Sequence, residues 1–178
     1  MISKLKKRRS IRTYTTESIP EETLKIILTA GLLSPTSKNL RPWEFLVIQD
    51  KEKLKKLADC RQKGADMLRD AAAAIIVMAD RTVNDVWIED CSIALSNMHL
   101  TAADEGIGSC WIQVRLRNSK QAGKDTETFI RDMFSLDDKY AVEAVLSLGI
   151  PEKTRAGVVL DKKLWEKVHY ETYPCEKK

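Results

Sequence analysis

The chain has 178 residues, 43% of them hydrophobic and 31% charged, which suffices for one well-buried core and is too short for two comfortable domains. Thirty basic residues against 26 acidic ones leave a net charge of +4, too balanced for a histone-like field. No stretch approaches the roughly 18 uninterrupted apolar residues of a membrane span, and the N-terminus lacks the apolar core of a secretory signal, so a cytoplasmic protein is expected. The four cysteines, Cys60, Cys91, Cys110 and Cys175, form no Cys-x-x-Cys and have no histidine at zinc-site spacing, so reduced thiols are expected.

The chain opens with Lys6-Lys7-Arg8-Arg9-Ser10-Ile11-Arg12, echoed far downstream by Lys153-Thr154-Arg155. If the two clusters met, they would describe an anion site. Taken alone, such a run is commonly a solvated arm or a nonspecific nucleic-acid contact. Ser10-Ile11 and Thr13-Tyr14 bring strand and turn chemistry that a loose basic tail lacks.

Ser18-Ile19-Pro20-Glu21-Glu22 starts the next helix, with Leu24, Ile27, Leu28 and Leu32 on one face and a stop by Ser34-Pro35. The loop Ser34-Pro35-Thr36-Ser37-Lys38-Asn39-Leu40-Arg41-Pro42 that follows is rich in hydroxyls and stiffened by two prolines. Trp43 to Ile48 reads as a strand, Lys51 to Cys60 as a helix, Gly64 to Arg69 as a second helix, and Ala72 to Met78 as a buried strand. A long helix, apolar around much of its circumference, is predicted from Asp85 to Glu105, placing it at the centre of the fold or at an interface.

Gly106-Ile107-Gly108 ends that helix, Cys110 to Val114 looks extended, Thr126 to Phe134 helical, and Ala141 to Leu148 a strong strand. The tail from Gly149 carries Leu164, Trp165, Val168, Tyr170 and Tyr173, too apolar for a free end. Alternating helices and strands with an antiparallel member give an α/β or α+β sandwich.

Familiar catalytic signatures are absent. Gly106-Ile107-Gly108-Ser109-Cys110-Trp111 lacks the third glycine of a dinucleotide fingerprint and follows a helix instead of a strand. No Walker A sequence, Gly-x-Ser-x-Gly elbow or His-Glu-x-x-His occurs. Glu89-Asp90 and Asp137-Asp138 are sequence neighbours that point apart on a helix, and His99 and His169 read as structural.

Four segments in register carry a resemblance. Arg8-Arg9-Ser10-Ile11-Arg12, the loop Ser34 to Trp43, Gly106 to Trp111 and Leu148-Gly149-Ile150-Pro151 together resemble the FMN-dependent nitroreductase family, with Val168-His169-Tyr170-Glu171 similar to its C-terminal segment. The resemblance implies an α+β fold over residues 1–178, with an antiparallel-dominated sheet flanked by helices. It also implies an intertwined homodimer with FMN at the subunit interface, the tail from about 156 to 178 packing on the partner.

By the same resemblance, Arg8, Arg9, Ser10 and Arg12 would contact the phosphate, ribityl chain and pyrimidine edge of FMN, and Lys153 and Arg155 would approach the phosphate. Pro35, Thr36, Ser37 and Asn39 would come from the partner to line the flavin. Gln113 and Val114 match the segment whose backbone approaches flavin N5 and O4. NADH or NADPH would reduce the flavin and a nitroaromatic or quinone would reoxidise it with ping-pong kinetics, so no catalytic side chain is nominated.

Two departures weaken substrate inference: Arg41 stands where many members have Gln, and no long insertion follows the Ala72 strand. The fold class also hosts dehalogenation, azoline oxidation and flavin fragmentation. A basic nucleic-acid module is the other reading, opposed by an aromatic content of 6% with no stacking motif among the basic residues.

Overall fold

The computed structural model describes residues 1–171 and 173. Its centre is a four-stranded sheet of β1 (Trp43–Ile48), β2 (Ala73–Asp80), β3 (Gly108–Gln113) and β4 (Tyr140–Gly149), in the order β1-β2-β4-β3 with every pairing antiparallel. Six α-helices accompany it: α1 (Ile2–Lys7), α2 (Glu21–Leu32), α3 (Lys51–Leu57), α4 (Trp87–Asp104), α5 (Thr126–Phe134) and α6 (Lys162–Trp165). The architecture is α+β, an antiparallel sheet flanked by helices.

β2 and β4 are central, covered on both faces, and their sequences are accordingly near-continuous apolar runs. One face packs against α2 and α4 through Ile27, Cys91, Leu95 and Met98; the other packs against α3 and α5 through Leu54, Leu57 and Ile130. Asp50 caps α3 by accepting from Lys53 N at 2.8 Å, and Asp125 caps α5 by accepting from Thr128 N at 2.6 Å.

Three elements differ from their sequence readings. The helix from Lys51 is α-helical only to Leu57 and tightens into a 3-10 turn at Ala58–Cys60, which buries both end residues. The helix expected from Gly64 to Arg69 is a shorter 3-10 turn, Asp66–Arg69, which buries Met67 and Leu68. On α2, Leu24 and Ile27 are buried but Leu32 is 52% exposed, so its apolar stripe runs past what this chain covers.

The N-terminal segment after α1 is extended and lies across the ends of β3 and β4. Ser10 bridges Ser109 in parallel and Tyr14 bridges Pro151 antiparallel, with Ile11 N donating to Ser109 O at 2.9 Å and Thr15 N to Ile150 O at 2.8 Å. Glycine permits this approach. A Cβ on Gly108 would stand 2.9 Å from Ile11 Cγ2, and one on Gly149 would stand 2.6 Å from Tyr14 Cγ. The Tyr14 hydroxyl donates to Ile11 O at 2.9 Å and lies 2.8 Å from Ser147 Oγ. Burial pushes the phenol's pKa far up, so it stays protonated in that network.

The substitution Gly149→Ala should therefore force the Tyr14 ring off its strand. A loss of about 1–3 kcal/mol is expected from overpacking, read as a lower urea midpoint with unchanged slope.

Candidate functional site

An extended segment alternates its side chains between two sides. Arg8, Ser10 and Arg12 gather around the Cys110 thiol, whose pKa burial raises and whose surrounding Arg12, Ser10 and Arg8 oppose that rise. Arg9 and Ile11 turn the other way, lining a cavity of about 130 Å³ with Lys7, Gly108, Pro151 and Arg155. The downstream cluster arrives there because Val158 N donates to Lys6 O at 2.8 Å, laying residues 156–158 along the end of α1. The two basic clusters of the sequence thus converge, through Arg9 and Arg155. Lys153 is exposed, and Lys4 is bound to Asp104 on α4.

Arg8 is held from beneath. Its Nη1 lies 2.8 Å from His99 Nε2, and His99 Nδ1 lies 2.6 Å from Ser109 Oγ. A guanidinium only donates, so Nε2 is the acceptor and the ring proton sits on Nδ1, donated to the serine. Burial, with the Arg8 charge, pushes the His99 pKa down to about 4 from its usual 6.5.

The polar loop is clamped to the opposite end of α4. Asp90, 3% exposed, accepts from Ser37 N at 2.9 Å and from Asn84 Nδ2 at 3.0 Å. Asn97 Nδ2 donates to Ser34 Oγ at 2.9 Å. Lys38, Asn39 and Arg41 all have positive φ, between 49° and 55°, a conformation that asparagine tolerates and the two cations do not favour. Thr36 Oγ1 accepting from Arg41 N at 3.0 Å, and Asn39 Oδ1 accepting from Arg41 Nε at 3.1 Å, hold that shape. Clustered strain of this kind marks a loop shaped for a task.

Gln113 sits at the far end of β3, about 17 Å along the strand from Gly108. Its Oε1 accepts from Trp111 Nε1 at 2.9 Å, and it lies beside the carboxyl of Glu143, whose Oε2 is buried without a hydrogen-bond partner among the described residues. The Val114 N–H is already engaged, donating to Glu143 O at 3.3 Å beside Arg115 N at 3.4 Å. Glu143 is the bulged residue of β4, skipped where Val77 pairs with Ala144 and Met78 with Val142. It is 3% exposed, Arg115 Nε lies 3.9 Å from it, and burial raises its pKa.

The structure therefore brings Arg8, Ser10 and Arg12 to one side of a strand, Arg9 and Arg155 to the other, and Gln113 and Val114 to its far end. This chain's own loop is tied to α4 at two points: Asp90, which holds Ser37, is about 13 Å along the helix from His99, which holds Arg8, while Asn97, which holds Ser34, is two residues from His99. Asp90 and His99, read from sequence as an unpaired acid and a structural histidine, and Asn97 and Glu143, not singled out there, were given no part in the site by the sequence reading. Their signal was present: three lie in a helix otherwise apolar enough to be central, where a polar side chain needs a buried partner.

Among the described residues no group of His, Cys, Asp and Glu could hold a metal ion, and no helix is long and apolar enough to cross a membrane. Burial pushes Cys60 and Cys91 up to about 12, so both stay as inert thiols.

Because folding depresses the His99 pKa, the folded chain refuses a proton that the unfolded chain accepts between about pH 6.5 and 4. The histidine's contribution is intact above pH 6.5 and is lost as pH falls towards 4, by roughly 3 kcal/mol in all. Urea unfolding at pH 7 and pH 4.5 should show this loss in the wild type and a markedly smaller one in His99→Gln.

Comparison with known proteins places the fold. The family model described as "Nitroreductase family" matches residues 5–61 and 60–150. A protein of Archaeoglobus fulgidus, provisionally named NADH dehydrogenase/NAD(P)H nitroreductase, is 38% identical over 149 residues, covering 82% of each chain. The structure of an FMN-dependent nitroreductase from Clostridium difficile superposes with a TM-score of 0.91 at 44% identity, covering 97% of this chain and all of that one. A provisionally named nitroreductase from Desulfovibrio desulfuricans, solved in complex with FMN, superposes with a TM-score of 0.77 at 27% identity over 97% of both chains. The same N-terminal segment, loop and sheet end that build the site are what the family model spans, and the chain belongs to the nitroreductase family.

Proposed function

We propose that this chain is an FMN-dependent oxidoreductase that passes electrons from NADH or NADPH to nitroaromatic, quinone or related acceptors with ping-pong kinetics, acting as a homodimer. The observation that carries the reading is the grouping of Arg8, Ser10 and Arg12 at one end of β3, where Ser10 bridges Ser109, with Gln113 at the other end of the same strand. A phosphate at one end and a flat, hydrogen-bonding ring at the other fit that donor set. The names of the Clostridium and Desulfovibrio relatives supply the flavin's identity.

In this reading Arg8, Ser10 and Arg12 bind the phosphate, ribityl chain and pyrimidine edge, while Arg9, Lys153 and Arg155 add positive potential around the phosphate. Gln113 and Val114 border the reacting edge, and the Glu143 backbone carbonyl holds the Val114 N–H. FMN, when bound, supplies the two-electron centre that no side chain of this protein offers. In this reading the loop of Pro35, Thr36, Ser37 and Asn39 reaches the flavin from a second copy, since Asp90, which holds Ser37 N, lies about 13 Å along α4 from His99, which holds Arg8.

The dimer is supported by apolar surface that one copy leaves bare. Leu32 of α2 and Leu33 just after it are exposed, and Leu32 borders, with the part-exposed Phe45 and Val47 of the edge strand β1, a groove of about 390 Å³. Val159, Leu160, Trp165 and Tyr170 of the tail are exposed as well. We assign the tail from about residue 156 to cover a partner; residue 172 and residues 174–178 of it lie outside the described part.

Protein supplemented with FMN should elute at twice the monomer mass with flavin absorbance. Initial rates with reduced nicotinamide and a nitroaromatic should give parallel double-reciprocal lines. A colourless protein that does not bind added FMN would end the proposal. Ending the chain at Arg155 should yield a monomer with at least a tenfold loss of FMN affinity, measured by flavin fluorescence and size-exclusion chromatography.

A further inference from the structure

His99 is one of two histidines, 7% exposed, in a helix whose other inward residues are largely apolar. The flavin reading gives it no task. A buried helical position opposite the sheet is cheaply filled by leucine, and an imidazole there loses hydration unless both nitrogens find partners. Both do: Nε2 meets Arg8 Nη1 at 2.8 Å and Nδ1 meets Ser109 Oγ at 2.6 Å. Ser109 is in turn bound by its carbonyl to Ile11 N at 2.9 Å and pairs with Ser10. The ring therefore ties the arginine side chain to the strand that carries the arginine's own segment.

The consequence concerns what Arg8 can do. An arginine side chain carries about 2 kcal/mol of rotamer entropy, part of which is lost when its fork must be fixed on an anion. An acceptor buried beneath it settles one N–H and the guanidinium plane in advance, leaving its other N–H groups for the half-exposed side. A neutral acceptor does this without cancelling the charge. A carboxylate in the same place would form an ion pair and compete with any incoming phosphate.

We propose that His99, as the neutral Nδ1–H tautomer, is a positioning residue that holds the Arg8 guanidinium aimed at the FMN phosphate and so sets the preference of this protein for FMN over riboflavin. The inference rests on the assignment of Arg8 to the phosphate made above. It goes further by naming the group on which the selectivity of that arginine depends.

The two nitrogens can be tested separately. A glutamine at 99 reaches the place of Nε2 and keeps an acceptor for Arg8; an asparagine reaches only the place of Nδ1 and keeps a donor for Ser109. Dissociation constants for FMN and for riboflavin are measured by flavin fluorescence on the flavin-stripped full chain. His99→Asn should weaken FMN tenfold or more and leave riboflavin within about twofold, whereas His99→Gln should keep FMN within about threefold.

Unchanged FMN affinity in His99→Asn, or an equal loss of both flavins, overturns the proposal. Arg8→Ala separates the two readings. If it leaves FMN affinity unchanged, the phosphate assignment falls and the inference with it; if it abolishes the FMN preference while His99→Asn does not, only the role of His99 falls. The tautomer is checked without any flavin or variant of His99, by imidazole 15N shifts of the wild-type chain, with His169→Gln to assign the signals. A protonated Nδ1 and bare Nε2 at pH 7 are expected, and the opposite tautomer overturns the proposal.

Discussion

Everything at this site depends on the N-terminal segment lying flat against the ends of β3 and β4. The contact is close because two strand residues have no side chain: Gly108 admits Ile11 and Gly149 admits the ring of Tyr14. Once seated, the segment is bound to the sheet by backbone hydrogen bonds at Ile11 and Thr15 and by the buried Tyr14 hydroxyl. Its alternation then decides which cations share a side. Arg8, Ser10 and Arg12 group at the start of β3, and Arg9 goes with Arg155 to the cavity behind.

The long helix α4 organises the remainder. Polar side chains at two points along it hold the two halves of the site, with Asp90 and Asn97 clamping the strained loop and His99 seating Arg8. Asp90, which holds Ser37, and His99, which holds Arg8, are about 13 Å apart along that helix, and Asn97 between them holds Ser34 at the start of the loop. In the proposed dimer that spacing is a reason for the loop tip to meet a partner's flavin, and the apolar surface open on α2, β1 and the tail is what the partner would cover.

Much of this was legible in the chain. The continuous apolar runs of β2 and β4, the helix starts after Ser18 and Asp125, and the polar loop after Ser34 follow from local rules that act over a few residues. The resemblance to flavin nitroreductases, carried by four short segments in register, is matched by a family model over residues 5–61 and 60–150. What escaped were the 3-10 turns at Ala58–Cys60 and Asp66–Arg69, short tight turns that local apolar spacing does not distinguish from helix. The bulge at Glu143 escaped as well, since pairing register is a property of two strands and is invisible in either one.

The sequence by itself determined the ingredients: an antiparallel-capable set of apolar strands, two basic clusters, a proline-stiffened polar loop, and glycines where the backbone must be approached. Only the tertiary structure decided how they combine. It divided Arg8 from Arg9, committed Lys4 to Asp104, gave Arg8 a buried imidazole partner, and turned Asp90 from one of two adjacent acids into the anchor of a loop. The reason is physical. Local preferences depend on neighbours in the chain, whereas the orientation of an arginine or the proton of a histidine depends on groups about ninety residues away, brought within 3 Å by packing.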